Sequence, residues 1–238
     1  DGKTVTFQNN LYATNLEVVG NNGTVNLNGN FTGDSLNYLN DGIVNLADNK
    51  AINSDITTTN GNGTLNLENS TVNGNIGTLS DKLKELNSGV GKTSTLNGNV
   101  FSNNLNLQGG TINLNGNFTG DNLNYEANGV VNLADNKVVD AKILTTTDNQ
   151  GTLNTIKNAE FKQQIGEDGR KLKEINTSKS GSTTTFQNDV YAQNLNLDED
   201  GIVNLNGNFK GDKIDFKDNA TLNIAADKNI TSSIVSQD

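Results

Sequence analysis

Along Gly23 to Tyr38, GTVNLNGNFTGDSLNY, apolar and polar positions alternate in very short runs. In TVNL, Val25 and Leu27 fall on one face and Thr24 and Asn26 on the other, the period expected of a strand packed on one side only. Asn28-Gly29-Asn30 and Gly33-Asp34 interrupt the pattern, and such residues enter left-handed turn conformations at little cost. The pattern predicts short strands at Thr24–Leu27, Phe31–Thr32 and Leu36–Tyr38, with a change of direction at each interruption. Strands of this length are too short for a sandwich.

The same pattern returns as GTINLNGNFTGDNLNY from Gly110 and as GIVNLNGNFKGDKIDF from Gly201. Self-similarity at a fixed interval, here roughly 90 residues, marks a repeat architecture. Within it, units open at Gly23, Gly42, Gly63 and Lys82, about 20 residues apart, which matches one rung of a solenoid with three short strands per rung. The unit from Lys82 is longer and holds LKEL, then STLNGNV and NLNL. Four rungs make one superrepeat. The expectation is a single all-β solenoid domain over residues 1–238, with superrepeats at about 1–109, 110–200 and 201–238 and about 11 rungs of parallel strands.

No single rung has enough apolar residues for a core, yet Val25 and Leu27 have counterparts in Val44 and Leu46, then in Leu65 and Leu67. Stacking rungs at the interstrand spacing buries them together and lines up Thr and Asn on the outside, where side-chain amides form ladders. The absence of Pro fits, because an internal strand must donate every backbone N–H to its neighbour. LKEL departs from the pattern: Leu83 and Leu86 are three apart and with Leu79 fit i, i+4, i+7, so a short helical turn is open, but a strand or bulge is the favoured reading. Its copy at Leu172 and Ile175 keeps that spacing.

Composition narrows the chemistry. The chain has no Pro, Cys, Met, Trp or His, which removes Ser-His-Asp and Cys-His arrangements and ordinary zinc or haem ligation. A net charge of −10 repels phosphate backbones and anionic lipids, so no nucleic-acid partner is expected. The lack of Cys excludes a disulfide scaffold and is compatible with export. The longest apolar runs are a few residues, far short of the roughly 20 that span a bilayer as a helix. Starting at Asp1 with no Met, the chain reads as an internal or processed piece of something longer.

The units GTVNLNGNFTGD, GIVNLADNK, TTTNGNGTLN, KLKELN and TTTFQNDVYAQNLNL together resemble the passenger domains of bacterial autotransporter surface antigens, in particular the rickettsial outer-membrane protein B and surface cell antigen family. The resemblance implies a right-handed parallel β-helix, exported and held at the bacterial cell surface by a C-terminal membrane β-barrel elsewhere in the parent chain. It also implies a non-enzymatic role in adhesion to or invasion of host cells and in forming a surface coat. The partners it implies are a host-cell surface protein or glycan and neighbouring copies of the chain. The alternative is a polysaccharide-binding or polysaccharide-degrading solenoid. A phage tail fibre or ice-binding solenoid would need trimer-forming ends or flat Thr-x-Thr columns, and Thr57-Thr58-Thr59 and Thr145-Thr146-Thr147 are isolated, so the flat array is missing.

No residue is expected to be catalytic, cofactor-binding or metal-ligating, and no cofactor is expected. Asp198-Glu199-Asp200 and Glu167-Asp168 have the oxygen chemistry of calcium ligands, but the preferred reading is solvated loops, since both the glycine-rich calcium repeat and an EF-hand loop are absent. Asp34, Asp121 and Asp212 each follow a Gly; a hydrolase would array carboxylates on one face, whereas residues that recur with a turn read as turn formers bonding their own backbone. The sequons at Asn30, Asn117 and Asn219 are nearly forced in a chain so rich in Asn and Thr. Arg170, Lys171 and Lys173, interleaved with Glu174, read as a solvated strand face.

Overall fold

A computed structural model describes residues 2–177 and 181–237, and every regular element among them is a β-strand. The chain is an all-β parallel solenoid of about 12 rungs, close to the expected 11, and its internal contacts divide it into units Asp1–Asp121 and Asn122–Asp238.

In the first unit, strands Thr4–Phe7, Thr24–Leu27, Ile43–Leu46, Asn62–Leu67, Leu83–Ser88 and Val100–Leu107 pair in that order, all parallel. A second sheet runs Leu11–Tyr12, Phe31–Tyr38, Ala51–Thr58, Thr71–Val72, Thr93–Leu96 and Thr111–Leu114. Each strand therefore pairs with its counterpart one rung on. Register holds identical positions in files: Val5, Val25, Val44, Leu65, Leu86 and Leu105 form one, and Leu16, Leu36, Ile56, Ile76 and Val100 another. From Val25 and Leu36 onward these side chains are buried, and burying each is worth about 1.5–3 kcal/mol.

The turn predicted at Gly33-Asp34 is instead a bulge inside one continuous strand, Phe31–Tyr38. The N–H groups of Asp34 and Ser35 both donate to the Thr14 carbonyl, at 2.8 and 3.3 Å, and the register shifts between Thr32 and Ser35. Two residues opposing one bend the strand without breaking its ladder, so two of the three short runs of the rung share a strand. Only Gly fits there, since a Cβ at Gly33 would lie 2.0 Å from the Ala13 carbonyl oxygen.

Of the two readings open for LKEL, the structure adopts the strand, Leu83–Ser88. Leu83 and Leu86 are both buried, and Lys84 and Glu85 between them are half-buried, so the chain bends where two residues in succession face outward. Pairing on both sides keeps constant register, which a helical turn would forfeit. Leu172 and Ile175 repeat the arrangement in Leu172–Asn176.

The second unit uses the same construction. Val130–Leu133, Gln150–Thr155, Leu172–Asn176, Val190–Leu197, Phe209–Lys217 and Ile230–Gln237 pair in order. Lys137–Thr145, Ala159–Phe161, Thr183–Phe186, Ile202–Leu205 and Thr221–Ile224 form the other series. Its core file of Val139, Phe161, Phe186 and Leu205 stacks the two phenylalanine rings at 5.2 Å, with their planes 12° apart.

Candidate functional site

Two of the three recurrent aspartates are brought into ion pairs. Lys82 Nζ lies 3.8 Å from Asp121, and Lys171 Nζ lies 3.0 Å from Asp212. Lys82 and Lys171 both immediately precede the LKEL-type strand, so this is one contact made twice. Asp34, the first copy, makes no ion pair among the described residues. The expected role of these aspartates as residues bonding their own backbone is thus corrected for Asp121 and Asp212. The signal in the sequence was the shared Lys-Leu-Lys-Glu, but nothing local says that its lysine reaches forward two rungs.

Three residues of the two acidic clusters pair with cations. Asp198 pairs with Lys217 at 3.3 Å. Glu167 pairs with Arg170, and Lys210 Nζ donates to both carboxylate oxygens of Asp168, at 2.8 and 2.7 Å. That bond holds the Asp168 carboxyl below the usual carboxylate range. In the first unit Lys84 donates to Asp41 at 2.7 Å, which raises the lysine above its ordinary value. Among the described residues no three acidic, imidazole or thiol side chains gather closely enough to hold a metal ion. Asn30 of the first sequon accepts the Ala51 N–H through its amide oxygen, and Asn117 donates its backbone N–H to Asn99.

Two tips leave the rungs at equivalent places. After Ile76-Gly77, residues Thr78–Asp81 form a turn closed by the Thr78 N–H on the Asp81 carbonyl at 2.9 Å, and the chain rejoins the sheet at Lys82-Leu83. After Ile165-Gly166, Glu167–Arg170 form a turn closed by two backbone bonds of 3.0 Å, and the chain rejoins at Lys171-Leu172. Gly77 and Gly166 share φ of +65°. The frame is the same, whereas the tips differ: TLSD presents Leu79, 70% exposed, and EDGR presents paired charges. In the sequence Arg170, Lys171 and Lys173 read as one basic stretch and the tips go unseen; the shared Ile-Gly before and Lys-Leu after each is the available signal.

Outside the core, asparagines stack into amide ladders. Asn26 donates to Thr6, Asn45 to Asn26, Asn66 to Asn45, Asn87 to Asn66 and Asn106 to Asn87, at 2.7 to 3.1 Å. A second ladder climbs from Asn53 through Asn73 and Asn97 to Asn115. The second unit has its own, from Asn132 through Asn154 and Asn176 to Asn196. The first ladder floors a groove of about 440 Å³. Along the flank of that groove Asn28, Glu68 and Gln108 carry polar side chains, while Ala47 and Gly89 leave gaps. Glu68 leans into the second gap: a Cβ at Gly89 would lie 2.6 Å from its carboxylate oxygen.

No protein-family model, curated protein or solved structure matches this chain.

Proposed function

We propose that this chain is a non-enzymatic display module of a bacterial surface protein, of the autotransporter passenger type that its repeat units resemble. The observation that carries the reading is the pair of tips, one constant frame presenting TLSD in one place and EDGR in the other. Loops on a rigid scaffold are where recognition concentrates, and a frame that tolerates different tips is suited to presenting them. Host-cell adhesion and invasion, coat formation with neighbouring copies, and anchoring by a membrane β-barrel elsewhere in the parent chain belong to the same proposal.

The test is made on cells bearing the full-length parent protein. Protease added outside intact cells is expected to cleave at the tips, and deleting this region is expected to reduce binding to host cells. A region protected until the envelope is breached, with host-cell binding unchanged on deletion, would overturn the proposal.

A further inference from the structure

The amide ladder beneath the groove leaves unused bonding capacity at every rung. An asparagine amide has two N–H donors and two acceptor lone pairs, and each ladder bond uses one of each, so Asn45, Asn66 and Asn87 each keep one donor and one lone pair. These recur at the interstrand spacing of about 4.8 Å. Beside them lies the Glu68 carboxylate, which makes no hydrogen bond or ion pair among the described residues. The groove's volume, about 440 Å³, is within the ~300–1,000 Å³ range of small-ligand sites.

We infer that this groove binds a linear, neutral, β-linked glycan, with successive sugars lying over successive asparagines and a pair of hydroxyls donating to Glu68. Three properties select that occupant. The first is register: each sugar of an extended β-1,4-linked hexose chain spans close to one rung and alternate sugars turn over, so the chain presents one face every second rung and stays in step, whereas an extended peptide repeats on one face every ~6.6 Å and slips out of step with the ~4.8 Å rungs. Charge is the second, because a chain of net charge −10 with a carboxylate in the groove disfavours acidic polysaccharides. The third is bonding. The strand backbones under the groove are already paired on both sides, so strand addition is closed and only side-chain partners remain. The gap at Ala47 gives the chain its lateral access, while Gly89 admits Glu68 to its position.

The inference needs only the folded chain and does not depend on where the protein is displayed. Cellohexaose is titrated into the full chain, with side-chain amide NMR signals and calorimetry as readouts. Saturable binding is expected, moving the amides of Asn45 and Asn66 but not those of the second ladder at Asn73 and Asn97. Ala47→Arg, which closes the gap, is expected to weaken binding at least tenfold. Glu68→Gln, an exposed conservative change that keeps the fold, is expected to weaken it several-fold. The inference is overturned if cellohexaose fails to bind at about 10 mM, if the perturbed amides lie on the second ladder, or if folded Ala47→Arg and Glu68→Gln bind as the parent does. Tighter binding of polygalacturonate or of an extended peptide at this groove would also overturn it.

Discussion

The ring of Tyr38 occupies the space that a side chain at Gly63 would need: a Cβ there would fall 2.5 Å from the ring's Cγ. Tyr38 is buried and its hydroxyl donates to the carbonyl of Thr64 at 2.9 Å. The second unit repeats the contact, with Tyr125 against Gly151 and its hydroxyl on the Thr152 carbonyl. Gly63 and Gly151 share φ of +83°.

Gly63→Ala and Gly151→Ala combine backbone strain with a collision in the core, together about 2–5 kcal/mol. Gly169 has the same φ but open space around it, so Gly169→Ala isolates the strain at about 1–2 kcal/mol. Urea unfolding of the three variants measures the difference. Equal losses at all three sites would show that the tyrosine contact contributes nothing.

Burial pushes the phenols of Tyr38 and Tyr125 well above their ordinary value. With the folded value raised, the stabilisation is complete below the unfolded value of about 10 and is lost as pH rises beyond it, at about 1.4 kcal/mol per pH unit for each tyrosine. Unfolding free energies between pH 9 and 11.5 should therefore decline, and the double variant Tyr38→Phe, Tyr125→Phe should decline less steeply. Parallel curves for parent and variant would refute the assignment.

Within the groove ladder, Asn66 donates to Asn45 and accepts from Asn87. Asn66→Asp removes the donor at neutral pH and sets a carboxylate against the Asn45 oxygen, a loss of about 1–3 kcal/mol. A protonated carboxyl can donate again, so the folded value of the new group is raised and the deficit should shrink as pH falls through it. Chemical denaturation at pH 3.5 and 7, parent against variant, checks both the size and the sign.

The recurrent pairs Lys82–Asp121 and Lys171–Asp212 are expected to matter little, since both aspartates are more than 60% exposed. Lys171→Ala should cost about 0–1 kcal/mol, an effect that fades in 1 M salt. A larger loss, insensitive to salt, would mean that the lysine stem packs against the rung.

If the tips are interchangeable on one frame, replacing Thr78-Leu79-Ser80-Asp81 by Glu-Asp-Gly-Arg should change stability by only about 0.5 kcal/mol. Thermal unfolding with retained β-sheet circular dichroism reads this directly. A loss of cooperative folding would show that Leu79 supports the rung despite its exposure.

Much of the fold was legible in the chain itself. Alternation in TVNL and its copies assigned Val25, Leu27, Val44 and Leu46 to the interior and Asn26 and Asn45 to the exterior, because a strand has a side-chain period of two and a repeat must bury equivalent positions together. The same repetition foretold amide ladders. What the chain alone left open was every relation that depends on which rung lies above which: the bulge at Gly33-Asp34, the strand at LKEL, the reach of Lys82 to Asp121, the fit of Tyr38 to Gly63, and the groove where Ala47 and Gly89 interrupt a flank of larger side chains. Periodicity along the sequence specifies the face on which a residue lies. Its neighbours on that face come from chain segments about 20 or 40 residues away, and only stacking brings them within bonding distance.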